Sequence, residues 1–136
     1  GGHLDATAAT HFTGPEDRPD FSILIYPVIS MDSITHQGSK DNLLGTNAPA
    51  ELAERYSNEK QVTDQTPQAF IALSDDDDNV LPGNSTRYYT ALKSRNVPAE
   101  LHIFPTGGHG WGWSESFRYK DELRAALGRW LEEIRK

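Results

Sequence analysis

Three short apolar runs alternate with segments of helical periodicity along the chain. The runs cover residues 21–26, 69–73 and 99–104, and the first and the last are each followed by a proline. Continuous apolar runs of this length are typical of parallel strands that are covered on both faces. Because such strands alternate here with helices, the pattern predicts an α/β fold, with parallel strands and flanking helices.

A helix is predicted between the second and the third run. Tyr88 and Leu92 fall four residues apart, as neighbours on one helical face do. Asn84 or Ser85 suits the N-cap of this helix, and Asn96 suits its C-terminal cap, with a proline two residues further on. The segment from residue 69 to residue 104 therefore forms one strand, helix, strand unit.

The most regular helical pattern lies at the C-terminal end of the chain. Its apolar residues repeat at intervals of three and four, while charged residues occupy the opposite face. A shorter helix over residues 50–56 is predicted after Pro49, since proline is favoured at the start of a helix. The apolar series of the C-terminal helix is Leu123, Ala126, Leu127, Trp130, Leu131 and Ile134.

Residues 30–66 form a long connection that is rich in Asn, Ser, Gly and Thr. Connections of this length are often functional, and in an enzyme this one would form a lid or a substrate wall. The alternative is a solvated excursion that carries one helix. The polar residues between positions 31 and 45 do not have the spacing of a metal or phosphate site, so none of them is assigned a role.

Composition excludes several classes of partner. The formal net charge is −7, with 13 Lys and Arg against 20 Asp and Glu, so no basic stripe is available for nucleic acid. No apolar run approaches the roughly 20 residues that span a bilayer. The chain has no cysteine, so disulfide content does not indicate a compartment, and both a cytoplasmic and a secreted bacterial location stay open.

Polar residues suited to catalysis follow the second and third predicted strands. The acidic run 75–78 follows one strand, and the glycine-rich loop 107–110, which contains His109, follows the other. Parallel strands present their carboxyl ends at one edge of a sheet, where ligands bind. A carboxylate there accepts the Nδ1 proton of an imidazole and stabilises the imidazolium. Asp78, four residues before Pro82, is the predicted partner of His109.

Each of these features also has a simpler interpretation. A single histidine in a glycine-rich loop is commonly structural, and adjacent acids after a strand commonly form a solvated turn. A calcium site in the acidic run is disfavoured, because the alternating acids, central glycine and terminal glutamate of a calcium loop are absent. The pairing of Asp78 with His109 across one strand, helix, strand unit favours the catalytic interpretation.

Several short motifs occur in one order along nearly the whole chain. They resemble those of the α/β-hydrolase esterase and lipase family, in its acetyl-xylan-esterase-like group, and correspond to the C-terminal half of such an enzyme. In that group the nucleophile elbow has the pattern G-x-S-x-G-G-H-L, and the acid loop has the pattern D-x-x-x-P. The matching segments are Gly1-Gly2-His3-Leu4, residues 26–30, Thr35-His36, Gly38-Ser39, residues 42–45, residues 78–82 and residues 107–110.

The resemblance implies a serine carboxylester hydrolase that acts on acetyl or other short acyl esters, including those of carbohydrates. Asp78 would orient His109, which would act as general base and then as general acid. No metal or organic cofactor is implied. Trp111 is expected to bind substrate, and Trp113 beside it is a second candidate, with core packing the more ordinary role for one of them. His3 is expected to pack or cap rather than to bind a ligand.

The resemblance also has gaps. The elbow serine would lie two residues before Gly1, so the nucleophile is expected outside this chain. Residues 1–10 would continue the helix after the elbow, with Leu4 and Ala8 facing the sheet. The strand from Phe21 to Tyr26 would have an open edge and uncovered faces, and is expected to pair with another copy or with the missing half.

Two other interpretations remain open from the sequence. A prolyl-oligopeptidase-like serine peptidase has the same acid and histidine loops. A truncated, non-catalytic hydrolase that acts as an interaction module is the alternative outside enzymes. In either case the whole chain, residues 1–136, is expected to be the C-terminal portion of one α/β-hydrolase domain.

Overall fold

The computed structural model describes residues 1–136 and contains a sheet of three parallel strands. They are β1 (Phe21–Ile25), β2 (Gln68–Ser74) and β3 (Ala99–Phe104), and their order in the sheet is β1-β2-β3. At the end of the shared register, Ile25 lies opposite Ala72, which lies opposite His102. The predicted strands and the α/β fold class are confirmed, although β1 ends one residue earlier than expected.

Five α-helices and one short 3-10 helix surround the sheet. None of the α-helices has both the length and the apolar character that crossing a bilayer requires. The C-terminal helix and the helix after Pro49 are confirmed. The bounds are α1 Gly2–Thr10, α2 Gln37–Leu44, α3 Ala50–Tyr56, α4 Gly83–Ser94 and α5 Lys120–Arg135, with the 3-10 helix at Asn58–Lys60.

One face of the sheet is covered by α1 and α4. Leu24 of β1 and Ile71 of β2 are fully buried there against Tyr88 and Leu92 of α4. The spacing of these two α4 residues is the one that predicted the helix. Since each large buried side chain stabilises by roughly 1.5–3 kcal/mol, this layer fixes β2 in the middle of the sheet.

The opposite face is covered by α5 and by the segment that leads into it. Leu123 and Trp130 of α5 are buried against Phe70 and Ala72 of β2 and Phe104 of β3. The strand β2 therefore has buried side chains on both faces, as its continuous apolar sequence predicts. The carboxyl end of β2 therefore lies beneath the residues that follow the strand.

The inward face of α1 differs from the prediction. Leu4 is 75% exposed and Ala8 is also exposed, whereas Ala6 and Ala9 are fully buried against the sheet. Small side chains on this face allow the helix to lie close to β1. The helix is also tied to the strand by Ser22, whose hydroxyl donates a hydrogen bond to Asp5 at 2.9 Å.

The start of α4 also differs, because Asn84 is not its N-cap. The helix begins at Gly83, after Pro82, and Asn84 and Ser85 lie buried in its first turn. The Asn84 side-chain oxygen accepts the amides of Ile29 and Ser30, both at 2.9 Å. The asparagine therefore serves the loop after β1 rather than its own helix.

The connection over residues 30–66 contains more regular structure than the sequence indicated. It carries α2, α3 and the 3-10 helix, where one helix was expected. The helix α2 was missed because none of its residues is buried, so it has no apolar face to detect. His36 is its N-cap and accepts a hydrogen bond from the amide of Ser39 at 3.2 Å.

The strand β1 is an edge of the sheet, and its outer edge pairs with no other strand. Its faces are less open than the sequence indicated. Ser22 and Leu24 are buried beneath α1, while Ile23 and Ile25 on the other face are partly buried and Phe21 is 39% exposed. What remains unpaired is mainly the row of backbone groups along the outer edge.

Candidate active site

An aspartate and a histidine meet at the carboxyl edge of the sheet. The imidazole Nδ1 of His109 donates a hydrogen bond to Oδ2 of Asp77 at 2.8 Å. Asp77 lies in the turn after β2 and His109 lies in the loop after β3, as expected for neighbouring parallel strands. The Nε2 atom of His109 has no hydrogen-bond partner in the chain, so it is free to accept a proton from a nucleophile.

Asp77 is held in one orientation by the backbone that follows it. Its other carboxylate oxygen, Oδ1, accepts the amides of Asn79 at 3.1 Å and Val80 at 2.9 Å. The side chain is completely buried. The turn therefore fixes the direction in which the second carboxylate oxygen, Oδ2, faces the imidazole.

The predicted acid, Asp78, does not contact His109. Its side chain lies in an exposed position, and the neighbouring Asp77 takes the place assigned to it. The sequence spacing to Pro82 selected Asp78, but spacing does not show which of two adjacent acids points inward. The turn distinguishes them, because Asp77 points inward to the amides of Asn79 and Val80. This detail of side-chain direction is not visible in a run of four identical residues.

A second acid of the run positions the histidine loop. Asp76 accepts the amide of Gly108 at 2.8 Å through Oδ1 and the amide of Gly107 at 3.3 Å through Oδ2. Successive acids therefore hold the backbone of the loop and the ring that the loop carries.

No group of three or more His, Asp or Glu side chains in the chain has the arrangement of a metal site.

The loop requires glycine at Gly107 for two reasons. Its φ of 133° lies in a region that other residues rarely adopt. A Cβ added there would lie 2.7 Å from Phe117 and 2.8 Å from the Ser74 hydroxyl. The chain can therefore pass closely over the end of β2 before it presents His109.

Tyr26 is a site residue that the sequence analysis missed. It directly follows β1, its φ is 37°, and its ring centroid lies 4.2 Å from that of His109. A positive φ at a bulky residue is costly and often accompanies a functional site. The sequence signals are an aromatic residue between the end of a strand and Pro27 and its place in the family motif of residues 26–30. The ring supports one face of the imidazole.

Trp111 is a packing residue, contrary to the prediction that it binds substrate. It is 7% exposed, and its indole stacks on Phe117 with ring centroids 3.9 Å apart. Its Nε1 donates to the Ser74 hydroxyl at 2.9 Å, and Tyr26 packs edge-on against it. Phe117 therefore covers one face of the indole, and little of the side chain is left exposed. Trp113, by contrast, is 57% exposed.

A cavity of about 220 Å³ adjoins the imidazole. His109, Tyr26, His36 and Ser39 line it, together with Gly1 at the start of the chain. His3 also borders this cavity, but its Nε2 donates to the carbonyl of Tyr56 at 2.8 Å. Burial lowers the pKa of the His3 imidazole, so the ring is neutral and acts as a structural link.

An aspartate beside a histidine on successive loops, at the carboxyl edge of a parallel sheet, is the arrangement in which α/β-hydrolases place their acid and base. Comparison with known proteins gives the family. A model of the prolyl oligopeptidase family matches residues 25–136, and the chain belongs to this family.

The names of two similar curated proteins refer to acetylxylan or xylan as the substrate. An acetylxylan esterase of Xylanibacter ruminicola is 40% identical over 98% of this chain, and endo-1,4-beta-xylanase B of Butyrivibrio fibrisolvens is 38% identical over 81%. The chain spans 29% and 19% of the lengths of these two relatives.

Similar solved structures are α/β-hydrolases, and this chain covers about half of each of the two described below. The acetyl ester-xyloside bifunctional hydrolase of Caldicellulosiruptor lactoaceticus superposes with a TM-score of 0.93 at 38% identity, over 98% of this chain and 53% of that one. A sugar hydrolase of Lactococcus lactis gives a TM-score of 0.75 at 28% identity, over 98% of this chain and 56% of that one. The resemblance to the acetyl-xylan-esterase-like group is thereby confirmed.

Proposed function

We propose that this chain supplies the acid and the base of a Ser-His-Asp triad in a serine carboxylester hydrolase. The observation that carries the proposal is the hydrogen bond of 2.8 Å between His109 Nδ1 and buried Asp77, which leaves Nε2 free beside a cavity. A histidine in this state is prepared to accept the proton of a nucleophilic hydroxyl.

In the proposed mechanism, His109 acts twice. Its Nε2 takes the hydroxyl proton as the serine oxygen attacks the ester carbonyl, and Asp77 stabilises the imidazolium that results. The imidazolium then gives the proton to the leaving alcohol, which leaves an acyl-enzyme. The same ring activates water to release the acid, so no step consumes a group other than ester and water.

The serine is proposed to come from outside this chain. No serine hydroxyl of the chain makes a hydrogen bond to His109. The elbow pattern places a serine two residues before Gly1, and Gly1 lines the same cavity as His109. A nucleophile that precedes Gly1 would thus enter the site from the side where the chain begins.

The proposed substrates are acetyl or other short acyl esters of carbohydrates. Support comes from the 40% identity to an acetylxylan esterase and from the structural match to an acetyl ester-xyloside hydrolase. The cavity beside His109 is about 220 Å³, which is small in comparison with typical sites for drug-sized ligands. A cavity of this size suits a short acyl group better than a long one.

A restored enzyme tests the proposal. It joins Gly1 to the part of the Caldicellulosiruptor lactoaceticus hydrolase that lies outside the match, so that the junction has the pattern G-x-S-x-G-G-H-L. We expect the restored enzyme to hydrolyse p-nitrophenyl acetate, and the 136-residue chain alone to show no more activity than its His109→Ala variant. Release of p-nitrophenol measures both.

Three results would contradict the proposal. Activity of the chain alone that disappears with His109→Ala would place the nucleophile inside the chain. A restored enzyme that is folded but inactive on esters would favour the non-catalytic interpretation. Activity on peptide anilides in preference to acetyl esters would favour a peptidase, which the name of the matched family also allows.

We further propose that the outer edge of β1 pairs with another strand. The amide of Tyr26 bonds to Ala72 of β2, so alternation along the strand directs the amides of Ile23 and Ile25 to the open edge. The 136-residue chain alone should therefore self-associate, as sedimentation velocity over a range of concentrations would show. Ile23→Pro, which removes one outward donor, should weaken association, and a chain that stays monomeric throughout would disprove the pairing.

A further inference from the structure

His36 is the second histidine of the cavity beside His109, and the proposed triad does not use it. It lies at the start of α2, in the long connection, and it lines the cavity together with Ser39. The sequence pattern Thr35-His36 belongs to the motifs that carry the family resemblance, yet no role was assigned to it. Its position raises the question of what its ring can bind.

The hydrogen bonds of His36 define its tautomer. Its Nδ1 accepts the backbone amide of Ser39 at 3.2 Å, and the Ser39 hydroxyl lies 2.8 Å from the same atom. A backbone amide can only donate, so Nδ1 carries no hydrogen. In the neutral ring the hydrogen is therefore on Nε2, which becomes a hydrogen-bond donor.

This donor is fixed and has no partner in the protein. The capping interaction of Nδ1 sets the orientation of the ring, and Gly38 lies against it, since a Cβ there would lie 3.3 Å from Cε1 of His36. No hydrogen bond is formed by Nε2. A fixed donor without a partner, on the wall of the cavity that contains the base, suits an oxygen of the substrate.

We propose that Nε2–H of His36 donates a hydrogen bond to a hydroxyl oxygen on the alcohol part of the substrate, a carbohydrate. The inference rests on the proposed esterase function. His36 and Ser39 give one side of the cavity a polar wall, which suits the hydroxylated alcohol, while the remaining space beside His109 is left to the short acyl group. The connection over residues 30–66 thereby contributes a substrate wall, and His36 is a specificity residue for the sugar.

The test replaces His36 in the restored enzyme with asparagine and, separately, with aspartate. Both residues are good N-caps, so α2 retains its cap while Nε2–H is lost. For an acetylated xylo-oligosaccharide we expect kcat/KM to fall about tenfold, mainly through a higher KM, as for the loss of one neutral hydrogen bond. For p-nitrophenyl acetate, which has no sugar, kcat/KM should change less than about twofold by the same argument.

The matched control is Gln37→Ala, an exposed neighbour on the same helix, which should leave both substrates unaffected. Thermal unfolding of each variant reports whether α2 is intact. An equal loss on both substrates would place His36 in the chemical step, and no loss on either would remove it from the site. Either result overturns the inference while leaving the esterase proposal in place.

Binding separates the two proposals if the restored enzyme is inactive. Inactivity towards both esters would contradict the esterase proposal. Titration of xylotriose into the restored enzyme and its His36→Asn variant, by isothermal calorimetry, then tests His36 without turnover. About tenfold weaker binding of xylotriose by the variant supports the inference, and equal binding or no binding by either protein overturns it.

Discussion

Replacing Asp77 with asparagine is expected to lower kcat of the restored enzyme on p-nitrophenyl acetate about 10⁴-fold. The side-chain oxygen of the new amide would still accept the backbone amides of Asn79 and Val80, so the turn should persist. The NH₂ group of the new side chain would face His109 Nδ1, which must then accept. The hydrogen would move to Nε2, and the ring could no longer act as a base towards the serine.

The control for this variant is the adjacent residue. Asp78→Asn removes the same charge from the same run, but its side chain is exposed and does not contact His109. We expect its kcat to stay within about twofold of the parent, since nothing in the reaction depends on it. A larger loss of kcat in Asp78→Asn than in Asp77→Asn would show that Asp78, the residue favoured by the sequence pattern, is the catalytic acid.

Trp111→Ala is expected to destabilise the restored enzyme by roughly 3–5 kcal/mol, as for other large aromatic residues truncated in a core. The indole is stacked on Phe117 and donates a hydrogen bond to Ser74. Its loss therefore leaves a cavity under the histidine loop and removes one of the two hydrogen bonds of the Ser74 hydroxyl. Urea unfolding followed by tryptophan fluorescence or circular dichroism measures the change.

Trp113→Ala is the matched comparison, because this indole is 57% exposed. Its removal should change the free energy of unfolding by less than about 1 kcal/mol, the usual range for surface positions. If Trp111 were mainly a substrate residue, Trp111→Ala would instead raise KM while leaving the unfolding transition unchanged. The two variants together thus decide between packing and binding.

The strands and three of the helices, α3, α4 and α5, were predictable because their signal is local. A continuous apolar run such as residues 69–73 identifies a strand with both faces buried. The apolar series of α5 identifies the face on which Leu123 and Trp130 are buried, although Leu131 of the same series is exposed. The helix α2 was not predictable in this way. This helix is stabilised by its N-cap and by polar contacts. None of its residues is buried, so its sequence shows no periodic pattern of apolar residues.

The site was predictable in its location but not in every residue. Topology alone places the acidic run and the histidine loop at one edge of the sheet, and His109 lies where that argument puts it. The choice between Asp77 and Asp78 depends on which side chain points inward from a turn. Likewise, the role of Trp111 depends on Phe117, six residues away, which covers one face of its indole.

Tyr26 was missed for a different reason. Its contribution depends on a backbone conformation, with φ of 37°, that turns its ring from the end of β1 towards His109. Sequence patterns describe side-chain character, and they do not report a strained dihedral angle. Only the structure shows that the Tyr26 ring packs against the imidazole of His109.

Asp76 and Asp77 make different contacts, so the position of each acid in the run depends on the length of the run. One carboxylate anchors the loop backbone and the next anchors the ring. Deleting a single aspartate leaves three indistinguishable acids, yet it shifts the phase of the turn, so that a different carboxylate faces inward. Homologous genes should therefore tolerate exchanges at residues 75 and 78 while rarely changing the length of this segment.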